Sequence, residues 1–311
     1  MFGTGSTWEG PTCALRSIVP SPRETTATVT DYGTYDRRGR RRRPDRGRRS
    51  YDRVDHPRPD VPSVSVVIPT LNEARNLMQL LPRIPTWVRE IIIVDGSSVD
   101  ATVQVAREHG DNVRIVLTPA RGKGAALRVG FQEAVGDVIV ALDADGSTDP
   151  AEISAFVGLL ASGADVVMGS RFAMGGGTTD MELHRRVGNW FLTKLVRFAF
   201  GIHYSDLCYG YFAFWRDMLP RLDGPFSGFE VETIIHIRAV RSGLRIAEVP
   251  SFEAPRIWGA SNLQTMPDGM RVLRAIFGEW RRNRRSERRD PSTRPGLHVV
   301  PDGGHDRRGA R

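Results

Sequence analysis

The chain has 311 residues, of which 40% are hydrophobic, and 44 Lys and Arg stand against 36 Asp and Glu for a formal charge of +8. That length and apolar content suit one large domain or two small ones. Only two cysteines, Cys13 and Cys208, are present, which excludes a disulfide framework or a cysteine-rich zinc site and fits a reducing cytoplasm. The basicity belongs to the ends: residues 1–60 hold 13 Arg against 8 acidic residues and 281–311 hold 10 against 4, so the stretch between is mildly acidic.

Residues 1–60 are rich in Thr, Pro, Gly and Arg and include RRGRRRRPDRGRRS at 37–50, a composition expected to stay disordered. Such an arm can bind nucleic acid or anionic lipid or be a solvated tail, and the solvated tail is the preferred reading. The first thirty residues lack the apolar core of a secretory signal, and no run of 18 apolar residues able to span a bilayer occurs. An ordered domain is expected over 61–265. SVSVVIP (63–69) reads as a buried strand, and Asn72-Glu73 lead into an amphipathic helix with Leu77, Leu80 and Leu81 on one side. A strand at 90–94 ends in Asp95-Gly96-Ser97-Ser98, followed by a helix at 99–109 and a strand at 113–117.

Arg121-Gly122-Lys123-Gly124 open a helix through Ala134, and the β-branched run 138–142 is a strand that leads into Asp143-Ala144-Asp145. Gly146 turns the chain, with Asp149 as N-cap and Pro150 at the first helical position. A helix at 151–161 and a strand at 165–169 complete an alternation that defines an α/β fold with a doubly wound, mostly parallel sheet. Residues 172–180 contain Gly175-Gly176-Gly177 and read as a mobile loop able to close over a ligand. A helix at 182–200, a strand at 208–215, a helix at 230–241 and a strand at 245–249 follow. From Met266, the residues Met270, Leu273, Phe277 and Trp280 recur at heptad spacing among Arg271, Arg274, Arg281 and Arg282. That is an amphipathic basic helix over 266–285, suited to a bilayer surface or to packing on its own domain. Residues 286–311 are expected to be a disordered tail.

Ligands of such sheets bind at the carboxyl ends of the strands, where Asn72, Glu73, Asp95, Lys123, Asp143, Asp145 and Arg171 collect. A nicotinamide site needs Gly-x-Gly-x-x-Gly after the first strand, but that turn is Pro69-Thr70-Leu71-Asn72-Glu73. A P-loop fails too, because Gly124 follows Lys123 and Leu117 stands where the first glycine belongs. Asp143 and Asp145, at i and i+2, point the same way. They either end the strand in solvent or share a hard cation such as Mg²⁺ or Mn²⁺. The remaining chemistry is an acidic pair for a metal–diphosphate, with acidic and amide groups that suit a base and ribose.

Six segments carry a family likeness: VVIPTLNEARNL (66–77), IIIVDGSSVDAT (91–102), RGKGAALRVGFQEAVGDVIVALDAD (121–145), ADVVMGSRF (164–172), SDLCYGYFAF (205–214) and FEVETIIHIRAVRSGLRIAEVPSFE (229–253). In order and spacing they resemble the family 2 glycosyltransferases of GT-A (Rossmann-like) fold, and within them the dolichyl- or polyprenyl-phosphate mannose or glucose synthases. Departures are one Asp, Asp95, at the end of the second strand where many relatives have two, and Gly146-Ser147 where Leu-Gln is usual. Leu207-Cys208-Tyr209-Gly210-Tyr211 replaces the usual signature there, and Arg256–Asn262 ends without the usual lysine. These bear on substrate choice rather than on fold or reaction class.

The resemblance implies a GDP- or UDP-hexose donor held by Pro69, Leu71, Asn72, Glu73, Asp95 and Ala144, with Lys123 near the base or solvated at its helix start. It implies Mg²⁺ or Mn²⁺ on Asp143 and Asp145 and an inverting transfer to a polyprenyl phosphate gripped by Arg171, Arg185 and Arg256. The enzyme would be cytoplasmic, or peripheral on the inner face of the plasma membrane. Transfer to a hydroxyl of a soluble metabolite or glycan is the alternative of the same fold. A nucleic-acid-binding protein with Arg-rich arms is the competitor of another class. Glu230 and Glu232, the base candidates a hydroxyl acceptor would need, read as polar positions on an amphipathic helix. His184 and His203 read as ordinary. Trp190, Phe191, Leu195 and Phe198 recur at helical spacing, as core or as a face for membrane or prenyl chain.

Overall fold

The computed structural model describes residues 58–201, 204–260 and 263–289. The two expected tails, except residues 58–60 and 286–289, lie outside the described residues, as do Cys13, His203, Ser261 and Asn262. β1 (Val64–Thr70), β2 (Glu90–Asp95) and β4 (Val138–Ala141) are almost wholly buried along their length. Continuous apolar runs of this kind mark strands covered on both faces. β3 (Val113–Leu117) is partly exposed. With β5 (Val166–Ser170), β7 (Phe212–Trp215) and β8 (Ile246–Pro250) the sheet runs β3-β2-β1-β4-β7-β5-β8.

All pairs in it are parallel except those of β7, which is antiparallel to both β4 and β5. The chain steps outward from β1 to β3 and then returns to place β4 on the other side of β1. Their carboxyl ends therefore flank the crevice in which such sheets bind ligands. Phe212 pairs with Ala141 and Trp215 with Val138, so β7 enters from that same end. Its pairing covers 212–215 rather than the expected 208–215, and residues 206–211 remain at the crevice.

The helices pack on this sheet or on one another: α1 (Ala74–Leu80), α2 (Thr102–His109), α3 (Lys123–Glu133), α4 (Ile153–Ala161), α5 (Leu183–Phe200), α6 (Leu219–Leu222), α7 (Val231–Arg241) and α8 (Thr265–Arg289). α2 starts later than expected, and Asp100 just ahead of it accepts from the Thr102 and Ala74 amides at 3.0 and 3.2 Å. Burial would raise the Asp100 pKa, but these bonds and that from the Thr102 hydroxyl hold it below the usual carboxylate range. The expected Asp149 cap is present, accepting from Ala151 N–H at 3.1 Å. The glycine-rich segment expected to be mobile is tethered instead. Its β6 (Gly177–Thr178) pairs with β9 (Phe252–Glu253), and Thr178 Oγ1 donates to Glu253 at 2.7 Å.

α8 packs on its own domain through one face. Val272 and Ile276 are in the core, and buried Glu279 binds Arg238 and Arg241 of α7 at 3.1 and 2.9 Å. Its Met266, Met270 and Phe277 stay exposed. Among the described residues no helix is long and apolar enough to cross a membrane.

α3 meets β1 and β2 at Gly130, where a methyl group would collide with the Val67 and Val94 side chains. Gly130→Ala gains roughly 1 kcal/mol of helix propensity but overpacks a core with both valines fully buried, which costs roughly 1–3 kcal/mol. We expect a net loss of stability, read as a lower denaturant midpoint at unchanged slope. An unchanged or raised midpoint would contradict the close approach.

Candidate active site at the sheet switch point

A cavity of ≈ 1110 Å³ opens at the carboxyl ends of β1 and β4, lined by Pro69, Leu71 and Glu73 from one turn and Asp143, Ala144 and Asp145 from the other. The N-terminal parts of α5 and α8 also line it, through Arg185 and Arg271. A smaller cavity of ≈ 340 Å³ adjoins it, with Leu71, Glu73, Arg256 and Gly259 common to both and Asn72 and Trp258 on its own wall.

Asp143 and Asp145 do not end in bulk water. Lys123 Nζ lies 2.7 Å from Asp143 Oδ1 and 2.7 Å from Glu232 Oε1. Of the two expectations for Lys123, solvation at its helix start is not met: the side chain lines the cavity but is enclosed, 13% exposed. Burial alone would favour loss of its proton, but Asp143 and Glu232 outweigh that and hold the ammonium charged beyond the usual lysine range. Burial raises the Glu232 pKa, the Asp143 charge adds to this and Lys123 opposes it. The Gly210 backbone closes the pair, since a Cβ there would strike both Asp143 and Lys123.

Asp145 accepts from Ser147 N–H at 3.0 Å, a turn that Gly146 permits at φ 72°. Its other oxygen lies 3.5 Å from Arg256 Nη2, while Arg256 Nη1 donates to Glu73 at 2.9 Å. Ile257 N–H donates to the Asp145 carbonyl at 3.1 Å, which draws segment 254–258 across the acidic turn. Asn76 secures that segment, binding Trp258 N–H and its carbonyl at 2.9 and 3.2 Å.

Two expected nucleotide ligands hold the loops rather than face the large cavity. Asp95 is buried, accepting from the amides of Ser97 and Ser98 at 3.1 and 2.9 Å and from Thr70 Oγ1 at 3.2 Å. Gly96, not Asp95, lines the cavity among the described residues. Asn72, at φ 58°, accepts from Val99 N–H at 2.9 Å and ties the first loop to the second.

The three arginines expected to grip a phosphate also separate. Arg171 is 4% exposed and forms a fork with Asp206, at 2.7 and 3.0 Å, while Nη1 binds Glu253 at 3.1 Å. It also donates to the Cys208 carbonyl and lies 4.8 Å over the Tyr209 ring. These contacts make it a staple between β5, residues 206–209 and β9. Arg256 bridges Glu73 and Asp145. Arg185 is part-exposed in the cavity and has no partner among the described residues.

Glu232, expected to be a polar position on an amphipathic helix, has its side chain only 4% exposed. α7 is buried around nearly its whole circumference, so no apolar stripe singled out one face. Glu230 is also engaged, accepting from Ser227 and Gly228 N–H at 2.8 and 3.1 Å. His184 joins the starts of α5 and α8 through Thr265 Oγ1 at 3.3 Å.

No group of three or more His, Cys, Asp or Glu converges for a metal among the described residues. Asp143 and Asp145 alone suit a hard cation that completes its shell from substrate phosphates and water, as Mg²⁺ does.

Strand order, the reversed β7 and an acidic turn at the switch point define an α/β transferase of GT-A fold. Residues 65–222 match the profile of glycosyl transferase family 2, and the chain belongs to that family of glycosyltransferases. It is 34% identical over 224 residues to the low-salt glycan biosynthesis hexosyltransferase Agl6 of Haloferax volcanii, covering 70% of this chain but only 53% of that protein. It is 31% identical to the polyprenol monophosphomannose synthase of Mycolicibacterium smegmatis, over 69% of this chain and 85% of that one. Among solved structures, glucosyl-3-phosphoglycerate synthase of Mycobacterium tuberculosis with Mn²⁺, UDP-glucose and phosphoglyceric acid aligns with a TM-score of 0.56 at 26% identity, over 70% of this chain and 80% of that one.

Removing Arg171 strands Asp206, which is fully buried, so Arg171→Ala should cost about 3–5 kcal/mol. The readout is a marked fall in melting temperature; a stable variant with only weaker acceptor binding would refute the staple. His236, one turn beyond Glu232, donates Nδ1–H to its carbonyl at 2.6 Å and leaves Nε2 buried without a partner among the described residues. Burial lowers its pKa from 6.5 to about 4, against the opposing carbonyl bond and the Asp206 charge. The unfolded chain therefore binds this proton more tightly. The stability the neutral ring provides is complete above pH 6.5 and is lost as pH falls towards 4, on the order of 3 kcal/mol. Against His236→Phe, wild type should lose stability more steeply in that window, and parallel profiles would refute it.

Proposed function

We propose that this chain transfers a hexose from a GDP- or UDP-sugar to the phosphate of a polyprenyl phosphate, with inversion at the anomeric carbon. The carrying observation is the distribution of engaged and free charge around the cavity. Glu232 is tied to Lys123, and Glu230 to backbone amides, so both candidate bases are engaged, whereas Arg185 is unpaired among the described residues. A hydroxyl acceptor needs a base; a phosphate needs a guanidinium to hold it. The likeness to a polyprenol monophosphomannose synthase supports this acceptor. The likeness to a synthase bound to phosphoglyceric acid supports a soluble phosphorylated acceptor as the second reading.

In this mechanism Pro69, Leu71 and Ala144 line the donor side, and Arg256 orients Glu73 and Asp145 towards it. Asp143 and Asp145 would hold Mg²⁺ or Mn²⁺, which when bound supplies Lewis-acid stabilisation of the charge growing on the departing diphosphate. Arg185 orients the acceptor anion, and the Arg171 staple fixes the wall beside it. Exposed Leu183, Val187, Trp190, Phe191 and Phe198 on α5, set among Arg186, Lys194 and Arg197, suit a peripheral site at an anionic membrane surface. Leu195 packs against the core instead.

The test incubates the protein with labelled GDP-mannose or UDP-glucose, Mn²⁺, and either polyprenyl phosphate or 3-phosphoglycerate. Label should enter the organic phase with the lipid. Arg185→Ala should raise the acceptor KM by about 10- to 100-fold, the worth of a charged hydrogen bond, and leave the donor KM unchanged. Transfer only into water-soluble product would remove the lipid acceptor.

A further inference from the structure

We propose that Lys123 is a resident counter-ion of Asp143 which a divalent cation must displace, and that Glu232 is the anchor that receives it, so the Lys123–Glu232 pair sets the metal affinity of the site. This rests on the metal reading above and adds a role for two residues outside the expected ligand pair.

Lys123 sits at the first position of α3, whose start carries no side-chain cap and no acidic residue in its first turn. A cation there opposes the helix dipole, so helix energetics do not account for it. Its two partners do: Nζ is equidistant, at 2.7 Å, from Asp143 and Glu232. Gly210 closes one side, and the Phe229 ring lies 5.8 Å away on another. The ammonium thus has one direction in which to withdraw from Asp143, towards Glu232.

A divalent ion bound to Asp143 would sit within a few ångströms of Nζ, where like charges repel strongly in a partly buried site. Glu232 is within reach without rotation of the backbone, and its side chain is almost fully enclosed, so it keeps the displaced charge satisfied. The wider cluster is consistent with this exchange. Among the described residues the ion-pair partners of Asp143, Asp145, Glu73 and Glu232 are Lys123 and Arg256, so the carboxylates here outnumber their cations.

The experiment titrates Mn²⁺ alone into the full chain and follows free Mn²⁺ by electron paramagnetic resonance, with melting temperature as the check on folding. Lys123→Met releases Asp143 and should bind Mn²⁺ about tenfold more tightly or better, one step of the affinity scale. Glu232→Gln leaves Lys123 to Asp143 alone and should weaken binding by about threefold or more. The double variant Lys123→Met/Glu232→Gln removes both buried charges together. It keeps the test available if the single lysine variant does not fold, and it too should bind more tightly than wild type. Asp143→Asn in the Lys123→Met background should abolish the gain. Equal or weaker binding by the lysine variants, with wild type still binding Mn²⁺, overturns the exchange and leaves the metal reading intact. No binding by any of the proteins overturns both.

Discussion

Carboxylates crowd the switch point of this sheet, and cations from distant parts of the chain are paired with them. Asp143 and Asp145 leave β4 two residues apart, Glu73 leaves β1 next to them, and Glu232 approaches from α7. Each is countered by a cation from a different part of the chain. Lys123 comes from the start of α3, and Arg256 from the segment after β9. Removing one member of such a buried pair leaves an uncompensated charge, which costs more than the pair contributes. The constraint therefore fixes the relative positions of five separate elements.

Backbone shape follows from the same crowding. β7 runs against its neighbours, so residues 206–211 arrive at the carboxyl edge rather than leave it. Gly210 then lets the backbone lie directly on the Asp143–Lys123 pair, and Asp206 meets Arg171. A strand entering from the opposite end would bring Trp215 to the crevice instead. The reversal is thus what supplies one wall of the site, while the parallel strands supply its floor.

Much of this was legible in the sequence, and what was not has a common cause. The fully buried strands β1, β2 and β4 and the helices between them follow from apolar runs and turn residues, and the acidic turn after β4 was located at once. The sequence also identified the GT-A fold. What it did not supply was pairing between residues distant in the chain. Glu232 looked like a surface position because α7, buried all round, shows no stripe. Arg171 looked like a ligand because its partners, Asp206 and Glu253, are 35 and 82 residues away. The glycine-rich segment looked mobile because nothing local indicates that β6 will pair with β9.

Three arginines of one residue type, all at the rim of one cavity, therefore have three different duties, and environment alone separates them. Arg171 has its guanidinium nearly saturated by two carboxylates, a carbonyl and an aromatic face, so it offers little to a ligand. Arg256 divides its charge between Glu73 and Asp145 and so couples the turn after β1 to the acidic turn. Of these three, Arg185 reaches the cavity without a partner among the described residues, as does Arg121 on another part of its wall. At the other two an anion would have to displace carboxylates already paired with them, so which charges the fold leaves uncompensated matters more at this rim than how many it contains.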